Sequence, residues 1–295
     1  MAPELAASAP LTSLPVRQTD PNDAYERFSE TLRSARLDDG SMAWVDGGAA
    51  EPEPTALLAL ATDDAEAREW LAAHQGEDGA VILETGEVRN TGGAALNALA
   101  LPDEASRLSA LAFAVAALGQ KVPNPQYAGD PPGWGWVPAT FAWTEPTSRV
   151  LLATRLLRPD DAPTIEDATV ILRGREVVGG GWNYGNSAAR GTDLTPYVQT
   201  TAIACTALQG LDEPSLDRGL ALLEARTLEE LGGLSLAMSL LALRLGGRGG
   251  GEVAQSILDA LVEQYERTAF LGNLGAVAWA ALATAPGPSV LEVPS

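Results

Sequence analysis

Trp143-Thr144-Glu145-Pro146-Thr147 is the stretch that decides the fold, because its core, Glu-Pro-Thr, stands once before as Glu53-Pro54-Thr55. Each copy heads an apolar run: Leu57, Leu58 and Leu60 after the first, and Val150, Leu151, Leu152, Leu156 and Leu157 after the second. The spacing predicts a helix opening with Pro at its first position, where no intrahelical hydrogen bond needs its missing N–H. A helix start that recurs implies a structural unit that recurs.

Outward from these two starts, helical patterns alternate with Gly-rich breaks from about Asn22 to Ala285, and strand-like alternation is nearly absent. The breaks are Asp38-Asp39-Gly40, Gly76-Glu77-Asp78-Gly79, the Pro-, Gly- and Trp-rich connection from Gly119 to Trp143, Gly179-Gly180-Gly181-Trp182, Gly232-Gly233, and Gly272 with Gly275. They divide the chain into six helix–turn–helix units of roughly 32 to 50 residues, which is repeat spacing. No helix of such a unit buries its apolar face alone, so neighbouring units must stack. Six hairpins use nearly the whole chain, and a closed ring needs no polar capping units. The expectation is therefore an all-α (α/α)6 toroid of about six helical hairpins with inner and outer helix rings. It would be one domain over 22–285, between a flexible segment at 1–21 and a loose C-terminal tail at 286–295.

Composition narrows the function. Apolar residues make up 46% of the 295, enough for a large core. A formal net charge of −20, from 39 acidic against 19 basic residues, argues against nucleic acid, whose phosphates would be repelled. The longest apolar stretch, Phe270 to Ala283, is too short to span a bilayer and is broken by Gly272, Asn273 and Gly275, so no integral membrane segment is expected. The N-terminus lacks the basic and apolar regions of a secretory signal, which makes a cytoplasmic location the default. Single residues Cys205 and His74 offer too few ligands for a zinc site, and both read as packed side chains; no metal and no cofactor is expected.

Ala67, Trp70-Leu71, Gln75 and Gly79, with Val81 two residues on, form a pattern that recurs as Ile171-Leu172, Glu176, Gly180 and Trp182. It resembles the QW repeat of the squalene-hopene cyclase and protein prenyltransferase superfamily, in which an outer helix ends in Gln and a Gly-x-Trp turn follows. Val81 stands in the place of Trp, and Glu176 in that of Gln. Pro196 to Ala202 is similar to the Gln-Thr-Ala helix start of these cyclases, through Gln199 and Thr200-Thr201. The resemblance spans nearly the whole chain and implies a toroid of paired helices. The Gln or Glu at an outer helix end is expected to bond backbone groups of the neighbouring unit, and the Trp to cover the apolar layer.

The class II cyclases of this superfamily protonate an alkene with an Asp-x-Asp-Asp-Thr-Ala motif at the start of an inner helix. Glu51-Pro52-Glu53-Pro54-Thr55-Ala56 resembles that motif, with Glu53 on the proton donor, Glu51 on the first Asp and Pro54 replacing the last Asp. The resemblance thus implies an isoprenoid or other hydrophobic small molecule in a central cavity and cyclisation initiated by acid at Glu53, with Glu51 and Glu145 as further catalytic candidates. The opposing reading makes these glutamates first-turn residues, where the helix dipole favours the ionised form. Trp134, Trp136, Phe141, Trp143, Trp182, Tyr184 and Tyr197, with Gln199, are candidates to line a substrate site, since aromatic faces can stabilise positive charge. They serve equally as packing. The zinc triad of the prenyltransferases is absent: Cys205 lacks the Asp two residues upstream. Two further readings stay open. One is a non-catalytic toroid acting as a ligand-binding or protein-interaction scaffold, and the other is a carbohydrate-active helical barrel with paired carboxylates. A separately encoded partner domain could complete the site, as the cyclases of this type build theirs between two helical domains.

Overall fold

The recurring helix start is real, and its working part is the threonine. In the computed structural model, which describes residues 18–83, 89–119 and 129–294, Thr55, Thr147 and Thr201 each stand four residues after a helix N-cap, at Glu51, Trp143 and Tyr197. Each Oγ1 accepts the backbone N–H of the turn preceding its helix, from Met42 at 2.9 Å, Trp134 at 3.4 Å and Trp182 at 3.0 Å. Those turns share a closure: Leu37, Gly76 and Val177 donate N–H to the carbonyls of Ser41, Ala80 and Gly181, and Gly119 donates to Gly133 across a longer connection. The prolines sit later than expected. Pro54 and Pro146 are the third helical residues, because the helices begin at Pro52 and Thr144. A third residue still has no intrahelical acceptor for its N–H, so Pro is tolerated there too.

The described residues form twelve α-helices in six consecutive pairs. These are α1 Pro21–Ala35 with α2 Pro52–Thr62, α3 Ala65–Ala73 with α4 Thr91–Ala100, and α5 Glu104–Ala116 with α6 Thr144–Leu157. Then follow α7 Ala162–Arg175 with α8 Val198–Leu208, α9 Pro214–Arg226 with α10 Gly233–Leu245, and α11 Glu252–Thr268 with α12 Leu274–Thr284. A two-stranded antiparallel ribbon, β1 Ala188–Ala189 and β2 Thr192–Asp193, decorates the turn before α8. The protein is all-α in its architecture. No helix among the described residues is long and apolar enough to cross a membrane.

The two members of each pair differ in burial. The second members are the more buried: all ten residues of α4 and all eleven of α12 are buried. The first members bury one stripe, as in α1 with Ala24, Phe28 and Leu32 at i, i+4 and i+8. Contacts follow the same division. Helix α2 packs on α4, α4 on α6, α6 on α8, α8 on α10, α10 on α12, and α12 on α2, while each first member packs on the second members beside it. One hydrophobic cluster runs through all of them, from Ala24 to Leu291. Gly79 shows how closely the units approach: its φ is +91°, and a Cβ there would lie 2.3 Å from the carbonyl oxygen of Ser109 in α5.

Arginine ties the far end of this arrangement. Arg68 donates to the carbonyl of Ala100, Arg155 to those of Ala207 and Gln209, and Arg244 to those of Ala283 and Ala285, so each satisfies orphan carbonyls where α4, α8 and α12 end. Burial pushes the Arg155 and Arg244 guanidiniums down from their ordinary value without removing their charge. The C-terminal tail is docked rather than loose. Leu291 is buried and its carbonyl accepts from Gln209 Nε2 at 2.9 Å, and Val293 N–H returns a bond to Gln209 Oε1 at 3.0 Å. Burying one leucine and satisfying both ends of a buried amide fixes the segment. The expected flexible segment at 1–21 lies mostly outside the described residues; Pro21 already begins α1.

Candidate functional site

The candidate acids meet at a residue that the sequence reading passed over. Arg149, on α6, donates from Nη2 to Glu53 Oε1 at 2.6 Å and to Glu145 Oε1 at 2.8 Å. Glu145 is the i−4 neighbour on its own helix, but Glu53 is on α2, beyond the intervening α4. Arg149 therefore reaches across the start of α4. The Trp136 ring occupies the space beside Gly92, where a Cβ would come within 3.0 Å of it, and lies with its centroid 5.3 Å from the guanidinium carbon. The side chain of Arg149 is 6% exposed and those of Glu53 and Glu145 are 15% and 16%. Burial alone would push the guanidinium down, but the two carboxylates outweigh it and hold Arg149 well above its ordinary value. Its Nε and Nη1 make no hydrogen bond among the described residues, and the Trp136 ring offers the guanidinium a cation–π contact.

Beside this cluster is a small opening of about 110 Å³ between the first turns of α2 and α4, lined by Trp44, Glu51, Glu53, Val81, Asn90 and Asn97 among others. Glu51 caps α2 without a side-chain cap bond and forms no ion pair among the described residues. Asn97 is 2% exposed, and its Oδ1 has no hydrogen-bond partner among the described residues. Asn90 is committed to the helix, accepting from Gly93 N–H at 2.8 Å. A larger hollow of about 560 Å³ lies at the other end of the helices, beside Arg244 and Ala283, away from the glutamates.

The aromatic candidates separate into two groups. Trp134 and Trp182 are fully buried, and their Nε1 atoms donate to the carbonyls of Val115 in α5 and Leu172 in α7, so both are packing residues joining a pair of helices. Trp143 and Tyr197, the N-caps of α6 and α8, are 37% and 41% exposed, and Tyr184 is 52% exposed with its ring 4.9 Å from that of Tyr197. Phe141 packs edge-on against Trp143 and under Arg175. Gln199 occupies in α8 the position that Glu53 and Glu145 occupy in theirs, two residues after the cap, but takes no part in the Arg149 cluster. Gln75 bonds the carbonyls of Gly79 and Ser106, the latter in the next helical pair. Glu176 cannot copy this, since a carboxylate has no proton to donate to a carbonyl, and it binds the Arg218 guanidinium instead. Cys205 is buried against Trp182 and Gly219, and burial pushes its thiol up, out of the reactive range. His74 stacks on Trp70 at 3.9 Å.

No family model and no curated protein matches the chain. A crystal structure of a protein from Actinoplanes superposes with a TM-score of 0.57 over 90% of this chain and 98% of that one, at 14% identity. At that identity the likeness is one of fold.

The signal for Arg149 was in the sequence. Ser148-Arg149 is a polar interruption in the apolar run that follows Glu145, and an arginine four residues after a glutamate pairs with it on a helix. What no spacing could supply was Glu53, 96 positions away.

Proposed function

We propose that the protein is a non-catalytic, ligand-binding (α/α)6 toroid related to the terpenoid cyclases and prenyltransferases, whose ligand site is the opening between the first turns of α2 and α4. The cycle of contacts from α2 through α12 back to α2 supports the ring, with α2, α4, α6, α8, α10 and α12 inside and their partners outside. The observation that carries the binding reading is the lining of that one mouth, where Glu51 forms no ion pair among the described residues and the buried Asn97 has an Oδ1 without a hydrogen-bond partner among them. A hydrocarbon chain needs a pocket of about 300 Å³ or more, and the opening beside the glutamates is only about 110 Å³. Arg149 also engages one oxygen of each candidate acid, Glu53 and Glu145, in an ion pair. The larger hollow by Arg244 is a weaker candidate, because that arginine is spent on helix-end carbonyls.

Hydrogen exchange of the full chain, with and without ligands from a metabolite panel that raise its melting temperature, tests this. Protection should concentrate at residues 51–53 and 90–97, and linear polyprenes should be returned unchanged. Cyclic products lost in both Glu53→Gln and Glu145→Gln, or protection confined to other regions, would overturn the reading.

A further inference from the structure

Resting on that reading of the mouth, we propose that the group it takes is the ammonium head of a small primary amine. Three acceptors lie at the opening with capacity to spare. They are the Glu51 carboxylate, which forms no ion pair among the described residues, the second oxygen of Glu53, which the Arg149 bond leaves open, and the Oδ1 of the buried Asn97, which has no hydrogen-bond partner among the described residues. An ammonium group carries three N–H donors and no acceptor, so the numbers match. Trp44 lines the same opening with 39% of its surface exposed, offering an aromatic face to a cation or its first methylenes.

Charge points the same way. Glu51 and Glu53 bring two negative charges to the mouth, and the one positive charge of Arg149 behind Glu53 is shared with Glu145, in a chain whose net charge is already −20. Helix N-termini by themselves favour anions, but here their donors are nearly used up. In α2, Pro52 and Pro54 have no N–H and Thr55 N–H bonds the Glu51 carbonyl. In α4, Thr91 N–H bonds the Trp136 carbonyl, and Gly93 and Ala94 bond Asn90. One first-turn donor remains in each helix, too few to cradle a phosphate. Size sets the rest: about 110 Å³ takes a head group and leaves the tail of the ligand outside. Calcium would want six or more oxygens, and among the described residues no group of three or more His, Cys, Asp or Glu could hold a metal.

The test is isothermal titration of the full chain at neutral pH and low salt with n-butylamine and 1,4-diaminobutane. Saturable one-site binding is expected, weakened about tenfold or more by Glu51→Gln and by Asn97→Leu, and about threefold by Trp44→Leu. Asp160→Asn, which removes the same charge from a distant turn, should bind as the unaltered chain does. Tetramethylammonium, which has no N–H, and calcium should not compete. Absence of saturable amine binding, equal effects of Glu51→Gln and Asp160→Asn, or full competition by tetramethylammonium or calcium would overturn the proposal. A non-amine ligand that protects residues 51–53 and 90–97 while amines do not would leave the site standing and remove only the amine. No protection there by any ligand would remove both.

Discussion

Replacing Arg149 by Met should destabilise the protein by about 3–4 kcal/mol at pH 7. The side chain is 6% exposed and holds two carboxylates at 2.6 and 2.8 Å, each of them about 15% exposed. A pair of unit charges about 4 Å apart is worth roughly 4 kcal/mol at an effective dielectric of about 20, and removing one partner of a buried pair costs about 3–5 kcal/mol. The partial exposure of the glutamates lets water recover some of that, which sets the lower figure. The triple variant Arg149→Met, Glu53→Gln, Glu145→Gln removes the uncompensated charges together and should return to within about 1 kcal/mol of the unaltered chain. Urea unfolding followed by circular dichroism measures both, with unchanged m-values certifying the comparison. A single variant within about 1 kcal/mol of the parent, or a triple variant no more stable than the single, would refute the claim that these charges are mutually compensated.

Three further outcomes are expected. Gly79→Ala should cost about 1–3 kcal/mol for its left-handed φ and more for the approach to the Ser109 carbonyl, whereas Gly179→Ala, with φ +94° but open space, should cost only the first part; paired urea midpoints compare them. Arg155→Met strands the carbonyls of Ala207 and Gln209 and should lower stability by about 2–4 kcal/mol, read from the same unfolding curves, with earlier hydrogen exchange at the end of α8. The Ser41 hydroxyl, then its N–H, and the Trp70 indole outweigh desolvation and hold the Asp39 carboxyl below its usual value. A depressed folded-state value contributes stability above the unfolded carboxylate range that is lost as pH falls through the folded one. The difference in urea midpoint between Asp39→Asn and the parent should therefore be present at pH 6–7 and fade below about pH 3–4.

The sequence by itself determined the helices and their pairing. Glu-Pro-Thr, the glycine breaks and the helical spacing of the apolar runs are local signals, because a helix start, a turn and a periodic run each depend on residues within a few positions. Gln75 was legible for the same reason, and so was the packing of Cys205. Tertiary structure decided the site. Glu53, Arg149 and Trp136 come together because α2 and α6 face one another across the start of α4, and nothing within either helix encodes that crossing. The same closure turned Trp134 and Trp182 from candidate site walls into core, fixed the tail on Gln209, and left Asn97 buried with an unused carbonyl. An ion pair 96 positions apart is a property of the closed packing, and so is the charge it leaves at the mouth.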